Sequence, residues 1–495
     1  MSDTTMEATA QADYSDGNEQ ASLLNQIIDA MPQTANDLSR ELVENVIDQA
    51  LENVVVWDRN VTQSIEKAIE HIDKCLSEQM SEILHNDAFQ KLEGSWLGLY
   101  GLVGDTDTGP QMKIKVVDFS QKDLQKQFED VASVDSSSFF KTIYQEEYGT
   151  SGGEAYGLLI GDYEFSNSDA DINLLRYMGE TAAACHTPFI AAAGAEMFEL
   201  DSFKTFNEHK PIATGFESPS YAAWHAFRDS DDARYVALTL PRTLARLPYG
   251  KKSLEAESFV YEEMALDSEG KPRPTSDDQL VWSNSAFAAG LKMTQAFSEF
   301  GWCTAIRGKN NGGKVENLPS LIYKSDAGDP VQHCPTMINI TDEREKELSD
   351  LGFLPLVHEK NTNFGVFMGG QTVQKPKTYT QDDATANAAI SARLPYVMAA
   401  TRIAHYLKVI GRDNIGSSME APDIQKELQE WIDQYTNAGA LGNAERARTP
   451  LAASKISVVE QPGKPGAYTA VAYLQPWLQM EELTSSIRMV AKLPG

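Results

Sequence analysis

The stretch KISVVEQPGKPGAYTAVAYL, residues 455–474, contains two runs of alternating side chains around a turn rich in proline and glycine. Both runs carry β-branched or aromatic residues, which favour strands, and QPGKPG (461–466) is a typical turn sequence. The pattern predicts a β-hairpin with strands at Lys455–Glu460 and Ala467–Leu474. Because an isolated hairpin is only marginally stable, these strands need further strands, from this chain or from another.

Upstream of the hairpin, short β-like runs alternate with helical patterns, which is typical of mixed α/β layers. The predicted strands are Ile114–Val117, Gly157–Ile160, Phe189–Ala193, Tyr235–Leu240, Cys303–Ile306 and Leu354–Val357. Apolar residues at helical spacing predict helices over 61–85, 168–185, 219–229, 277–300, 381–411 and 422–437, with Pro395 interrupting the fifth. The sequence therefore predicts an α/β fold with mixed α+β layers.

The amino-terminal region has a different character. Residues 1–20 are polar and acidic, too poor in apolar surface to offset the entropy of ordering. The following ASLLNQIIDAM (21–31) predicts a short amphipathic helix, whose apolar stripe is Leu23, Leu24, Ile27, Ile28 and Met31. A second helix is predicted near residues 39–51. Val54, Val55 and Val56, followed by Trp57, then predict a lone β-strand that needs a sheet.

A chain of 495 residues is longer than one hydrophobic core usually spans, and its length alone suggests about three domains. We divide it into an acidic disordered arm (1–20), amino-terminal helices with a linker strand (21–60), a mixed α/β body (61–380) and a carboxy-terminal region of helices and the hairpin (381–495). Neither an internal repeat nor a further low-complexity segment is evident.

The formal net charge of −30 disfavours two classes of partner. Phosphate backbones and anionic lipid heads are repelled by such a field, so we expect no nucleic acid and no membrane insertion. Basic protein surfaces are better candidates. The four dispersed cysteines suit a reducing compartment, and no signal-like start or long apolar run is present. We therefore expect a cytoplasmic protein.

Two local motifs resemble catalytic loops but lack essential features. GKNNGGK (308–314) has phosphate-loop spacing, yet Val315 stands where a Ser or Thr would ligate Mg²⁺, and no good helix follows. GTSGG (149–153) has nucleophile-elbow spacing around Ser151, but a helical run precedes it and a strand-like run follows, the reverse of the required order. A solvated loop and a turn explain these motifs better.

The metal-ligand patterns are similarly weak. The eight histidines include no pair at i, i+4, and the neighbours Cys185/His186 and His333/Cys334 are poor chelates on regular elements. The acidic run Asp229, Asp231, Asp232 lacks the glycine and distal glutamate of a calcium loop. The sequence thus predicts no catalytic residue, no metal site and no cofactor, which favours a role in assembly.

Five stretches, in order along the chain, together resemble the large subunit of the type VI secretion contractile sheath. They are ILHNDAFQKLEGSWLGLYGLV (83–103), GLLIGDYEF (157–165), LPRTLARLPYG (240–250), PLVHEKNTNFGVFMGGQ (355–371) and LQPWLQMEELTSSIRMVAKLP (474–494). The similarity extends over about residues 20–494. No single stretch is a chemical signature, and it is their order that carries the resemblance.

The resemblance implies a structural protein of a bacterial injection machine and a contractile-sheath subunit fold. The large subunit would pair with a small sheath subunit, and the heterodimers would stack helically as six-membered rings around an inner tube of hexamers. The sheath would assemble from a baseplate, contract to propel tube and spike into a target cell, and then be dismantled by an AAA+ unfoldase. Contraction would release energy trapped during assembly, without hydrolysis by this chain.

Two groups of residues acquire expected roles. From their unpaired edges, the lone strand and the hairpin are expected to form sheets between neighbouring chains; the resemblance carries this role to the hairpin residues Ile456, Val458, Val459, Tyr468, Ala470, Val471 and Tyr473. An ordinary sheet within the chain is the alternative. The helix with Leu23, Leu24, Ile27 and Ile28 resembles the one that an unfoldase recognises in relatives.

Two other functions remain as alternatives. One is a sheath subunit of a different contractile, phage-tail-like particle, which would use the same mechanics. The other, less favoured, is a cytoplasmic enzyme whose site is the Gly308 loop or Ser151.

Overall fold

The computed structural model describes residues 61–131, 133–208, 211–256, 259–464 and 466–480. The described residues form two compact units, the first within 61–86, 248–266 and 270–272, and the second within 87–247, 267–269 and 273–480. The predicted amino-terminal helix with Leu23 and the predicted strand at Val54 lie outside the described residues. The division into four sequence segments stays a prediction.

The helices of six residues or more are numbered here in chain order. They are α1 (Val61–Leu84), α2 (Asp87–Gly104), α3 (Gln121–Asp130), α4 (Asp169–Cys185), α5 (Ala222–Arg228), α6 (Ser285–Phe300), α7 (Asp342–Asp350), α8 (Asp382–Ser391), α9 (Leu394–Asp413), α10 (Ala421–Asp433) and α11 (Asn443–Arg448). A π-helix spans Lys141–Tyr148. Shorter helical turns are Val134–Ser136, Ser138–Phe140, Ala195–Phe198, Phe203–Thr205, Ile212–Gly215, Pro219–Tyr221, Asp232–Tyr235 and Asp277–Gln279.

In the described residues twelve strands form four sheets, and the largest, with six strands, lies in the second unit. The strands are β1 (Leu159–Phe165), β2 (Phe189–Ala193), β3 (Val236–Leu240), β4 (Thr243–Leu244), β5 (Trp282–Ser283), β6 (Lys314–Val315), β7 (Ile322–Lys324), β8 (Pro330–Gln332), β9 (Phe353–His358), β10 (Gly365–Phe367), β11 (Leu451–Glu460) and β12 (Tyr468–Pro476). The large sheet has the order β1-β2-β3-β9-β10-β6. Its first four strands are parallel, and β10 and β6 continue it in antiparallel fashion. The predicted mixed α/β class is confirmed.

The central strands are buried on both faces, as parallel strands usually are. Phe189 and Leu238 face one apolar core, which includes Leu175 of α4. The alternate residues Ile190 and Ala237 face a second core, which includes residues of α6. Continuous runs of apolar residues in β2 and β3 are explained by these two cores, because a strand covered on both sides needs no polar face.

Helix α2 approaches the backbone of β5 closely. A Cβ atom added to Gly94 would lie 2.2 Å from the carbonyl oxygen of Trp282, and one added to Gly98 would lie 2.2 Å from Ser283 Oγ. Such distances are shorter than any ordinary contact. Glycine at these two positions, one turn apart, therefore permits the close packing of α2 on β5 within the second unit.

The first unit is described through α1 and the chain that packs on it. Ser81 Oγ lies 3.0 Å from the hydroxyl oxygen of Tyr261, and His85 Nε2 lies 3.7 Å from a carboxylate oxygen of Glu263. Leu84, Tyr261 and Met264 are buried. These contacts fix the carboxyl end of α1 within its unit.

Several sequence predictions agree with the structure and others do not. The strands Phe189–Ala193 and Leu354–Val357 and the helix over 168–185 form within one residue of the predicted bounds. Gly157–Ile160 was placed too early, since β1 is Leu159–Phe165. The predictions of strands at Ile114–Val117 and Cys303–Ile306 are wrong, because both segments are irregular.

The helix predicted over 277–300 is also partly wrong. Its first third is a helical turn followed by β5, and α6 begins only at Ser285. Asn284 caps α6 by accepting a hydrogen bond from the backbone N–H of Ala286. The long pattern over 381–411 divides into α8 and α9, and Pro395 lies in the first turn of α9.

Candidate inter-subunit interface

The predicted carboxy-terminal hairpin is present and longer than expected. Strands β11 and β12 pair in antiparallel fashion, with Ile456 opposite Ala472 and Val458 opposite Ala470. In the turn, the backbone N–H of Gln461 donates to the carbonyl oxygen of Ala467 at 2.7 Å. The two strands form a sheet of their own rather than extending the six-stranded sheet.

The two faces of the hairpin differ in burial. Ile456 and Val458 are buried against Leu428 and Ile432 of α10, in a third apolar cluster that also receives Tyr468. On the opposite face, Val459, Val471 and Tyr473 are 60%, 43% and 61% exposed. Ala470 is also exposed, although it pairs with Val458 and therefore lies on the face toward α10. An exposed row of two valines and a tyrosine has apolar area that a neighbouring chain can cover.

The outer edge of β11 is occupied by side chains of α10. Gln429 Oε1 accepts a hydrogen bond from the backbone N–H of Ile456 at 2.8 Å, and Gln425 Oε1 accepts one from Val458 at 3.2 Å. Gln429 Nε2 also donates to the carbonyl oxygen of Ser454 at 3.4 Å. The two glutamines are spaced i, i+4, so they lie on one face of the helix. They occupy the place of a strand partner along β11.

The outer edge of β12 is open in the part of the chain that the structure describes. Because the N–H groups of Ile456 and Val458 point to α10, the residues between them point to β12. In β12, therefore, Thr469, Val471 and Tyr473 face β11, while alternate residues such as Ala470 and Ala472 direct their backbone groups outward. No described residue bonds to these outward groups. An edge of this kind can accept another strand.

The chain after β12 is attached to the body of the second unit. The backbone N–H of Trp477 donates to the carbonyl oxygen of Pro450, and that of Gln479 donates to the Tyr396 hydroxyl at 3.0 Å. The guanidinium of Arg446 lies 4.5 Å from the Trp477 ring centroid. These contacts hold the base of the hairpin, so the open edge has a fixed direction.

The structure describes the positions of only some of the predicted site residues, and their roles stay predictions. It brings Ile456, Val458, Val459, Tyr468, Ala470, Val471 and Tyr473 together in one hairpin. Leu23, Leu24, Ile27, Ile28, Val54, Val55 and Val56 lie outside the described residues. The sequence analysis missed Gln425 and Gln429; two glutamines at i, i+4 beside the buried Leu428 were the available signal.

The two weak catalytic motifs have local structural explanations. Lys314 lies in β6, forms an ion pair with Glu316 and lies over the Phe364 ring. Within the same loop, the N–H of Gly308 donates to Phe367 and that of Gly313 donates to Gly308. Ser151 is in an exposed turn, and no described residue hydrogen-bonds to it. Neither loop presents the groups that its motif requires.

Some of the described histidine side chains each contact a single Cys or acidic side chain. Cys334 Sγ lies 3.4 Å from His358 Nδ1, and His333 Nε2 lies 3.0 Å from a carboxylate oxygen of Asp277. Burial opposes ionisation of the Cys334 thiol, but hydrogen bonds with His358 and Thr336 lower its pKa. Among the described residues, no group of three or more His, Cys, Asp or Glu side chains is placed to hold a metal ion.

Comparison with protein families identifies the class. Residues 66–374 match the family model of the EvpB/VC_A0108 tail sheath N-terminal domain. Residues 383–493 match the EvpB/VC_A0108 tail sheath gpW/gp25-like domain. The chain is therefore a tail sheath protein.

Similarity to a curated protein identifies the family more specifically. Over 482 residues the chain is 41% identical to the type VI secretion system sheath protein TssC1 of Pseudomonas aeruginosa, covering 97% of this chain and 95% of the relative. The chain belongs to the type VI secretion sheath family.

Solved structures with more distant similarity are also sheath assemblies. The contracted PVC sheath complex of an extracellular contractile injection system matches with a TM-score of 0.34 and 8% identity, over 63% of this chain and 68% of that one. The contracted helical sheath of the anti-feeding prophage matches with a TM-score of 0.33 and 10% identity, over 80% and 86% of the two chains.

Proposed function

We propose that this chain is the large subunit of a type VI secretion sheath, which polymerises with a small sheath subunit around an inner tube and contracts to drive the tube outward. The observation that carries the proposal is the open outer edge of β12, attached firmly at its base. Strand addition there supplies directional main-chain hydrogen bonds, each worth about 0.5–1.5 kcal/mol net. Directional bonds of this kind suit a helical lattice.

The chain's part in this activity is mechanical, and we propose no enzymatic step. Energy would be stored in the packing of subunits on the tube and released when the lattice adopts its second packing. The proposed partners are the small subunit in six-membered rings, the inner tube, the baseplate and, for recycling, an AAA+ unfoldase that binds the helix containing Leu23, Leu24, Ile27 and Ile28. The lone strand at Val54–Val56 would add to a neighbouring sheet.

The proposed location is the cytoplasm. The net charge of −30 disfavours anionic membrane surfaces. None of the helices that the structure describes is long and apolar enough to cross a bilayer.

The proposal is tested at Ala470, whose backbone N–H points outward from β12. The full chain is co-expressed with the small sheath subunit and the products are examined by electron microscopy. Ala470→Pro removes the outward donor and should abolish tubules while the protein remains soluble, because proline is tolerated at a free strand edge. The matched control, Ala470→Ser, keeps the donor and should form normal tubules. Normal tubules from Ala470→Pro would refute strand addition at this edge.

A sheath of another contractile particle is the second candidate. The co-expression also separates the two, because tubules made from this chain alone, without a small partner, would favour that alternative.

A further inference from the structure

The six-stranded sheet also ends in an open strand. β1 pairs with β2 on one side, and no described strand pairs with its other side. The N–H of Leu159 donates to the carbonyl oxygen of Pro188 at 2.9 Å, which directs Leu159 toward β2. In a parallel ladder the next residue points the opposite way, so the backbone groups of Ile160 face the open side. Exposed edges of this kind are usually short, charged or covered.

A cavity of about 2200 Å³ borders this edge. Segment 110–121, segment 153–166 with β1, and one side of α2 contribute to its wall. Pockets for small ligands are typically about 300–1,000 Å³, so this volume suits a polypeptide segment better than a metabolite. Because β1 forms part of its wall, the cavity lies where a further strand of the sheet would be placed.

Among the described residues, only side chains connect segment 113–121 to the β1 region, and one of them, Gln121 Nε2, donates to the backbone carbonyl oxygen of Glu164 at 3.4 Å. Tyr163 donates its hydroxyl hydrogen to the carbonyl oxygen of Phe119 at 2.7 Å, and Lys113 and Lys115 form ion pairs with Glu154 and Glu147. No backbone hydrogen bond between described residues joins this segment to β1. The two backbones are thus not paired at the strand spacing of about 4.7–4.9 Å.

The α2 wall of the cavity is apolar. Leu92, Trp96 and Leu99 line it, and Leu92 and Trp96 are 54% and 61% exposed. These residues lie on the side of α2 away from Gly94, which packs against β5. Val116 and Val117, in the facing segment, are 68% and 54% exposed. Large apolar side chains grouped around one cavity indicate a surface that is covered in an assembly.

The charges near the edge favour a basic occupant. Asp118 and Asp162 line the cavity, and neither lies within ion-pair distance of a described cation, although Arg242, which pairs with Glu164, also lines the cavity and is close enough to Asp162 to interact with its charge. Burial, Asp162 and Asp118 together raise the pKa of Tyr163 to about 12, so both carboxylates lie near its hydroxyl. A strand with a Lys or Arg at this level would be attracted by both.

We propose that β1 accepts a β-strand from a second, different polypeptide, with apolar side chains toward α2 and a basic side chain near Asp118 and Asp162. Under the proposed function this polypeptide is the small sheath subunit, and the inference rests on that function. Residues 1–60 fit less well, since they contain 12 acids and two arginines. A second copy of this chain, with a net charge of −30, is repelled as well.

Hydrogen exchange provides the first test. The full chain is measured alone and with the purified small sheath subunit. Exchange at the β1 amides that face the open side, including that of Ile160, should be fast in the chain alone and slow about tenfold in the complex, whereas Leu159, which donates to Pro188, is protected in both. If these amides are already protected in the chain alone, its own amino-terminal segment or a second copy fills the site, and the inference is overturned.

Substitutions on the apolar wall provide the second test. Leu92→Glu with Trp96→Glu should weaken binding of the small subunit about 100-fold, because buried aromatic anchors dominate interfaces. The control is Ile415→Glu with Leu441→Glu, which changes two side chains that are 81% and 91% exposed elsewhere. It should leave the affinity within about twofold. Circular dichroism spectra identical to that of the unmodified chain verify folding.

The charge is tested with Asp118→Lys and Asp162→Lys, which together should weaken binding about tenfold at low salt and less at high salt. Unchanged affinity in the α2 double variant would overturn the inference while leaving the sheath function intact. Failure of the unmodified chain to bind the small subunit would instead overturn the proposed function.

Discussion

Gln429 of α10 accepts a hydrogen bond from the backbone N–H of Ile456 in β11 at 2.8 Å. A side chain thus satisfies a donor that a sheet would otherwise assign to a neighbouring strand. Since a buried donor left without a partner costs about 1–3 kcal/mol, the helix and the hairpin stabilise each other. The same bond closes one edge of the hairpin and leaves the edge of β12 for assembly.

Replacing both glutamines should expose the closed edge. Gln425→Leu with Gln429→Leu leaves the donors of Val458 and Ile456 unpaired, and should lower the free energy of unfolding by about 1–3 kcal/mol. Urea denaturation followed by tryptophan fluorescence measures this change. Light scattering should also show more self-association, because an unprotected strand edge pairs with others. The control Gln434→Leu, at the exposed end of the same helix, should alter neither property; equal effects would contradict the assigned role.

Proline in either strand of the hairpin should prevent assembly, although each variant removes a different hydrogen bond. Val471→Pro removes a donor that faces β11, and Val458→Pro removes the donor to Gln425 as well as a buried side chain. Both should block sheath formation while leaving soluble complexes with the small subunit, as judged by electron microscopy and size-exclusion chromatography. Val471→Thr keeps the donor and the β-branched shape, and should assemble. Tubules of normal length from both proline variants would show that the hairpin is dispensable.

The close approach of α2 to β5 predicts a sharp contrast between two glycines of one helix. Gly94→Ala places a Cβ atom 2.2 Å from the Trp282 carbonyl oxygen, so the helix must shift, at a cost of about 1–3 kcal/mol. Gly101→Ala meets no atom within 4 Å and should stabilise the helix by about 0.5–1 kcal/mol. Chemical denaturation of both variants measures the difference. Similar stabilities would mean that the packing is looser than described.

Acidification should destabilise the fold through His405. Burial lowers the pKa of His405 to about 4, with Arg402, His186 and Lys408 adding to the effect. Its Nε2 lies 2.9 Å from the carbonyl oxygen of Cys185, and its buried Nδ1 meets no described hydrogen-bond partner. The unfolded chain, with an ordinary pKa near 6.5, therefore binds a proton at higher pH than the folded chain does.

The stability contributed by neutral His405 is present above about pH 6.5 and is lost as the pH falls toward 4, by about 3 kcal/mol in total. Urea denaturation at a series of pH values measures this dependence. His405→Gln should be less stable at neutral pH but should show a flatter dependence between pH 6.5 and 4. A slope equal to that of the unmodified chain would assign the effect to other groups.

The sequence predicted best those elements whose burial follows a regular pattern. The apolar run of β2 and the spacing of α4 left few alternatives, since a fully covered strand and a capped helix each have a distinct pattern. Cys303–Ile306 shows the limit. Ala305 and Ile306 in this run are buried, which accounts for their apolar side chains. The backbone of the run is nevertheless irregular. Burial alone does not distinguish an irregular core segment from a strand.

The hairpin itself could be predicted, but its asymmetry could not. Alternation in β11 and β12 and the proline-glycine turn specify pairing and register. Gln425 and Gln429 determine which edge of the hairpin remains open, and they lie more than 20 positions before β11 in the chain. The sequence predicts a strand at Ile114–Val117, but this segment is irregular. A segment with a strand-like sequence forms a strand only where a partner strand is present.

The neighbours β3 and β9 are separated by residues 241–352 of the chain. At a synthesis rate of about 5–20 residues per second, the ribosome needs roughly 6–22 seconds to make that interval. During this time β1, β2 and β3 have already emerged, while the strand that completes the middle of the sheet does not yet exist. The nascent chain therefore exposes the unpaired, apolar edge of β3 for many seconds. A chaperone that acts during translation would be needed at this edge.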